Sequence, residues 1–321
     1  MPRTRKLGIV MDPIESIIPY KDSTLAMMLE AQARGWQTRI FRQQDIYLDE
    51  GIAMGKFQVV TVADDSERWF EITATGVCEL AELDAILMRK DPPFDLEYIY
   101  ATYILEQAEE SGVLVVNKPA SLRDCNEKLF TRHFPECSVE TLVSRDPELL
   151  RRFIEQHRDV IIKPLDGMGG KSIFRVQLGD RNTNAIVETV SREGQSQTMV
   201  QRYIPEISEG DKRILLIDGV AVPYALARLP AEGENRGNIA AGASTRGQSL
   251  SERDRWLAEQ VGPELQARGL IFVGIDVIGD YITEINVTSP TCIRELDRDF
   301  GINISADLFE CIEQRLSVQP A

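Results

Sequence analysis

The chain has 321 residues, 43% hydrophobic and 27% charged, a composition ordinary for a folded protein of two or three domains. Its 51 acidic side chains against 36 basic ones leave a net charge of −15, a surface that repels nucleic-acid phosphates and anionic membranes, and no local basic patch offsets it. Two histidines, His133 and His157, exclude a histidine-rich metal site, and five cysteines without a C-x-x-C pair read as free thiols of a reducing cytosol. The apolar run Leu7 to Met11 is too short for a signal segment and no stretch approaches bilayer length, so the expectation is a cytoplasmic protein that neither spans a membrane nor binds nucleic acid.

In chain order, Leu7–Met11 reads as a buried strand ended by Asp12-Pro13. A helix follows from Asp22-Ser23 to Gly35. Strands are expected at Thr38–Phe41, Gln58–Val62, Ala85–Met88 and Val113–Val116, with a helix over Leu96–Glu110 between the last two. Strands alternating with helices indicate a mainly parallel, doubly wound sheet, here forming an N-terminal α/β domain over 1–123. A helix over Pro147–His157 then leads into the strand Val160–Pro164. A glycine loop comes next, then the strand Ser172–Val176, a helix near Ala185–Val190 and the strand Thr198–Ile204. These form a central unit over 124–203. In the remainder, 204–321, Asp218-Gly219 between two apolar runs signals a type I′ hairpin. The polar, glycine-rich stretch 230–248 is too long for a routine connector, a helix covers Glu252–Arg268, and two strands run over Ile271–Ile278 and Tyr281–Val287 before closing helices.

Three segments carry chemistry. Asp166-Gly167-Met168-Gly169-Gly170-Lys171-Ser172 is not a Walker loop, because Leu165 stands where that motif needs glycine and a strand follows instead of a helix. It reads as a strand–loop–strand flap whose bare amides can cover phosphates, or as a plain tight hairpin. Lys163, on the strand before it, and Lys128, on an upstream helix, would neutralise polyphosphate from two sides. Thr198–Pro205 offers backbone groups to an adenine edge, and Asp211 is either a ribose acceptor or a turn residue. In Gly274–Val287, Glu284 and Asn286 point to one face of a strand and Asp276 interrupts its partner, an oxygen-only set suited to Mg²⁺. A two-residue turn at Gly279-Asp280 would put Asp276 opposite Thr283 and away from Glu284, so the metal reading requires an odd-length connection.

Lys163–Gly170, Asp211-Lys212-Arg213, Arg236-Gly237-Asn238 and Glu284–Pro290 resemble the ATP-grasp ligases. Met88–Phe94 and Asn117-Lys118-Pro119 extend the resemblance to the prokaryotic glutathione synthetases over nearly the whole chain. One departure is Ala243–Arg246, less glycine-rich than the end of that family's loop. The resemblance implies an ATP-grasp fold behind an N-terminal doubly wound parallel-sheet domain, and ligation of γ-glutamylcysteine to glycine through an acyl phosphate. It implies Mg²⁺ or Mn²⁺ on Asp276, Glu284 and Asn286, and an oligomer of identical chains. It further assigns Lys128, Lys163, Gly167, Met168, Gly169, Gly170, Gln201, Tyr203, Ile204 and Asp211 to ATP, and Arg213, Arg228 and Arg236 to catalysis. Lys21, Arg89, Thr288, Ser289 and Pro290 fall to the substrate, and 230–248 becomes a lid. Three alternatives stand beside this reading. They are an ATP-grasp ligase for another amine such as D-alanine, a nucleotide-sensing module without catalysis, and, more remotely, a dinucleotide oxidoreductase, for which the chain lacks G-x-G-x-x-G after its first strand.

Overall fold

The computed structural model describes residues 3–167, 171–230 and 244–318. Its first part runs β1 (Lys6–Val10), α1 (Ser23–Ala33), β2 (Gln37–Phe41), β3 (Ile46–Asp49), β4 (Ile52–Val62), β5 (Phe70–Glu79), β6 (Ala85–Met88), α2 (Leu96–Glu110), β7 (Leu114–Val116) and α3 (Pro119–Asp124). β2, β1, β6 and β7 lie parallel in that order. Alternation along β1 sends Leu7 and Ile9 into a core with α1 and Val10 into a second core with α2, so the sheet is covered on both faces. Asp22 caps α1 by accepting from the Leu25 amide, where the sequence expects the helix to begin. β4, β3 and β5 extend this sheet antiparallel beyond β2, so the seven strands are mixed outside the parallel core.

The middle of the chain forms a four-stranded sheet, β10-β9-β11-β8. Its elements are β8 (Thr141–Ser144), α4 (Pro147–His157), β9 (Asp159–Pro164), β10 (Phe174–Gln177), α5 (Thr183–Val190) and β11 (Thr198–Arg202). Leu150, Ile154 and Val187 of its two helices bury Val160, Ile162, Val176 and Val200 of the sheet, leaving the opposite sheet face for the cleft described below.

The last sheet has five antiparallel strands in the order β14-β13-β12-β15-β16: β12 (Asp211–Ile217), β13 (Val220–Leu229), β14 (Ser244–Ser249), β15 (Phe272–Ile278) and β16 (Tyr281–Asn286). The helices α6 (Glu252–Ala267), α7 (Ile293–Phe300) and α8 (Ile304–Val318) accompany it. Asp218 and Gly219 both take positive φ, 48° and 76°, in the two-residue turn between β12 and β13, as the type I′ expectation requires. The stretch 230–248 is not all loop, because residues from Ser244 onward pair with β13 as β14. Residues 231–243 lie outside the described residues, and so does most of the expected lid.

The metal reading asked for an odd connection between β15 and β16, and the turn corrects it. Ile278 pairs with Tyr281 across the two residues Gly279 and Asp280. The register then shifts by one, Val277 facing Ile282 and Asp276 facing Glu284, so Thr283 is an extra, bulged residue. The bulge supplies the odd residue that the turn lacks, and Asp276 and Glu284 share a face after all.

Candidate active site

A cleft of about 380 Å³ opens between the four- and five-stranded sheets. Its lining includes Lys163, Gly167, Gln201, Tyr203, Ile204, Asp211, Arg213, Arg228, Asp276, Glu284, Asn286, Thr288, Ser289 and Pro290, all named from the sequence. Met168, Gly169, Gly170 and Arg236 lie outside the described residues. Lys21, Arg89 and Lys128 are absent from the lining, Lys128 being buried behind it. The Arg89 guanidinium is buried, donates to Thr24 Oγ1 (3.2 Å) and to the Pro290 carbonyl (3.0 Å), and keeps Nη1 without a partner among the described residues. It therefore reaches the site through the Thr288–Pro290 segment.

Along β12 the odd residues Asp211 and Arg213 face the cleft while Ile214 and Leu216 fill the core behind, and β13 brings Arg228 opposite Asp211. Asp276 enters from β15 opposite Arg213. Arg213 holds it through Nε (2.5 Å) and Nη2 (3.0 Å), a bidentate fork. Arg228 bridges Asp276 (3.0 Å) and Asp211 (2.5 Å). Burial alone would raise the Asp276 carboxyl, but Arg213 and Arg228 outweigh it and hold it well below the usual carboxylate range. Burial dominates at Asp211 and pushes its carboxyl up despite Arg228. Gly274 makes this possible, since a Cβ there would come within 2.9 Å of Arg213 Cδ and 3.0 Å of Pro290 Cβ.

Two lysines approach Glu284, Lys163 from β9 on the other wall and Lys128 from the segment bonded to the edge of β16. Lys163 Nζ sits 3.6 Å and Lys128 Nζ 3.8 Å from Glu284 Oε1. Lys128 also bonds Glu127 Oε1 (2.6 Å) and the Gly167 carbonyl (2.8 Å), which ties it to the flap. Burial would lower the Lys128 ammonium, but Glu284 and Glu127 outweigh it and raise it. At Lys163 burial wins and the ammonium is lowered, Lys128 adding to that against the pull of Glu284.

Asp276, Glu284 and Asn286 fit a hard divalent cation. Two carboxylates meet on one sheet face, and Asn286 donates its Nδ2 to Asp276 Oδ2 (3.2 Å), leaving its carboxamide oxygen as a third donor. The Asp276 oxygens are already bonded to guanidinium groups, so Glu284 is the more available ligand.

Two family models match the chain: prokaryotic glutathione synthetase, N-terminal domain, over residues 6–123, and prokaryotic glutathione synthetase, ATP-grasp domain, over 127–301. A glutathione synthetase of Pseudomonas aeruginosa is 58% identical over 98% of this chain and 99% of its own length. One from Vibrio vulnificus matches to the same extent. The chain belongs to the prokaryotic glutathione synthetases. It is an ATP-dependent ligase of the glutathione-synthesising kind, and as such uses ATP with a divalent metal. Solved structures agree on the ATP-grasp fold. A D-cycloserine synthetase, DcsG, superposes with a TM-score of 0.68 at 15% identity, covering 97% of this chain and 99% of that one. D-alanyl-alanine synthetase A of Vibrio cholerae gives 0.64 at 13% identity, over 99% of both chains.

The motif reading missed Glu127, whose side chain bonds Lys128 and whose carbonyl accepts from the Ile285 amide (2.8 Å), and Cys292, buried beside Arg213 and Arg228. Glu127 adjoins Lys128 in the sequence, and an acid next to a lysine expected to be buried was the available signal. Cys292 offers none, because a thiol after Thr291 has no spacing that marks it. Among the described residues no helix is long and apolar enough to cross a membrane, and all five cysteines are free thiols.

Proposed function

We propose that this chain joins γ-glutamylcysteine to glycine in the cleft between its four- and five-stranded sheets, through an acyl phosphate made from ATP. The observation that carries the reading is the convergence of Lys128, Lys163, Arg213 and Arg228 on the carboxylate pair Asp276 and Glu284. The cysteinyl carboxylate attacks the γ-phosphorus as the bond to ADP breaks. The glycine amine then attacks the acyl carbon, loses a proton and expels phosphate. Such steps need positioning and charge stabilisation more than a titrating base, which suits a cleft without histidine in its lining.

Lys128, Lys163 and Gly167 face the ATP phosphates, with Gln201, Tyr203 and Ile204 at the base. Asp211 keeps one buried oxygen, Oδ1, without a partner among the described residues, in keeping with a ribose hydroxyl. Arg213 and Arg228 steady the substrate carboxylate and the acyl phosphate. Asp276, Glu284 and Asn286 would hold Mg²⁺ or Mn²⁺, which would supply positive charge to neutralise the phosphate oxygens. Thr288, Ser289 and Pro290 border the dipeptide, Arg89 acts on them through the Pro290 carbonyl, and Lys21 lies at the γ-glutamyl end. The units 1–123, 124–203 and 204–321 then divide the work into substrate holding, nucleotide covering and metal-assisted transfer.

The test is ADP release with ATP and Mg²⁺ when γ-glutamylcysteine and glycine are added separately and together. Turnover should require both, with glutathione formed in step with ADP. Release with another pair, such as one containing D-alanine, and not with this one would overturn the substrate.

A further inference from the structure

The motif Asn117-Lys118-Pro119 contributes nothing to the cleft lining, yet it lies against the strands that carry the metal donors. The pairing of β15 with β16 ends at Gly274 and Asn286. Just beyond, the Asn117 carboxamide, 3% exposed, takes the place of further pairing. Its Oδ1 accepts from the Phe272 amide (2.8 Å), and its Nδ2 donates to the Phe272 carbonyl (2.7 Å) and the Val287 carbonyl (2.6 Å). One side chain thus satisfies three backbone groups on two strands, groups that would otherwise be buried and unpaired. Val287 follows Asn286 directly, and Phe272 lies four residues before Asp276 on the same strand.

We infer that Asn117 is a positioning residue for the metal site, fixing the open end of the β15–β16 hairpin so that Asp276, Glu284 and Asn286 stay convergent. The need is local. The bulge at Thr283 locally disrupts the ladder just before the donors, so their end of the hairpin gains from a second anchor. Glu127 fixes the outer edge of β16 at Ile285, and Asn117 fixes the ends of both strands. Ser121 provides a natural control. Its hydroxyl donates to the Arg268 carbonyl (2.6 Å), joining the same two chain segments without touching β15 or β16.

This inference rests on the metal reading of Asp276, Glu284 and Asn286, and its test separates the two. Mn²⁺ binding is measured by electron paramagnetic resonance on full-length protein with a non-hydrolysable ATP analogue, alongside Mg²⁺ half-saturation, kcat and Tm. Asn117→Ala should weaken Mn²⁺ binding and raise the half-saturating Mg²⁺ by about tenfold or more, the range for residues that orient metal ligands. Ser121→Ala should leave both within about twofold while lowering Tm. Asn117→Ser, which keeps a hydroxyl for one of the three groups, should fall between and serves if the alanine variant does not fold. Unchanged Mn²⁺ binding in a folded Asn117 variant, while Glu284→Gln abolishes it, would overturn the positioning role. Loss of the fold in both Asn117 variants would overturn it too, making the residue a determinant of the fold and not of the site. If Glu284→Gln itself leaves Mn²⁺ binding intact, the metal reading falls instead.

Discussion

The two walls of the cleft hold their charges differently. On the five-stranded sheet, Arg213, Arg228, Asp211 and Asp276 are bonded to one another at 2.5–3.0 Å and are nearly buried. On the opposite wall Lys163 of β9 stands 3.6 Å from a single glutamate oxygen, and Lys128, from the segment bonded to the edge of β16, lies 3.8 Å from the same atom. The first wall is electrostatically complete before any substrate arrives. Lys163 on the second is buried with less than one full countercharge, and burial lowers its ammonium accordingly. A site that transfers a phosphoryl group benefits from both. A fixed dipolar wall costs no reorganisation during reaction, and an under-neutralised cation gains most from an incoming phosphate.

Breaking the complete wall should have the largest effect. Asp276→Asn leaves two buried guanidinium groups short of a countercharge and replaces a charged metal donor by a neutral one. We expect a destabilisation of about 3–5 kcal/mol by chemical denaturation and at least ~10³-fold loss of kcat. Near-normal stability would show that the wall is not locked. Lys163→Met should have the opposite profile. KM for ATP should rise about 10- to 100-fold, as for the loss of one or two charge-assisted bonds, while Tm holds or increases because a poorly compensated buried charge is gone. A lower Tm would mean that Glu284 compensates Lys163 better than its distance suggests.

The smallest effect sharpens the contrast away from the cleft. Among the described residues no guanidinium bonds Asp297, and burial pushes its carboxyl up to about 6, although it accepts from the Ile304 amide. Its folded value thus exceeds the unfolded one of about 4, so the folded state binds more protons between those pH values. Its contribution to stability therefore falls as pH rises from about 4 through about 6. Asp297→Asn keeps the oxygen acceptor and should raise Tm at pH 8 by a few degrees with no gain at pH 4. An equal shift at both would exclude titration as the cause.

Much of this contrast was legible in the sequence as residue types. Strongly apolar runs gave the parallel strands and both β15 and β16, and Asp218-Gly219 gave its turn. β5 escaped although Phe70, Ile72 and Ala74 alternate with Glu71, Thr73 and Thr75, and most of its residues are solvent-exposed. The lining residues could be named from motifs, but Asn117 meets Phe272 across 155 positions, which no local spacing reveals. The arginine–aspartate lock likewise depends on which strands become neighbours. The Thr283 bulge was invisible for another reason: a threonine in a strand looks the same whether paired or extra.

That bulge gives the hairpin a parity. Counting residues from the turn, the chain reaches Glu284 one step out of phase with its partner, and every residue after it inherits the offset. Removing the single residue Thr283 would bring Glu284 opposite Asp276 by simple counting, so Glu284 and Asn286 would keep the cleft face and Ile285 the core. Beyond Glu284 the pairing is regular, so insertions or deletions of one residue there should be far less tolerated than changes of two, whatever side chains they bring.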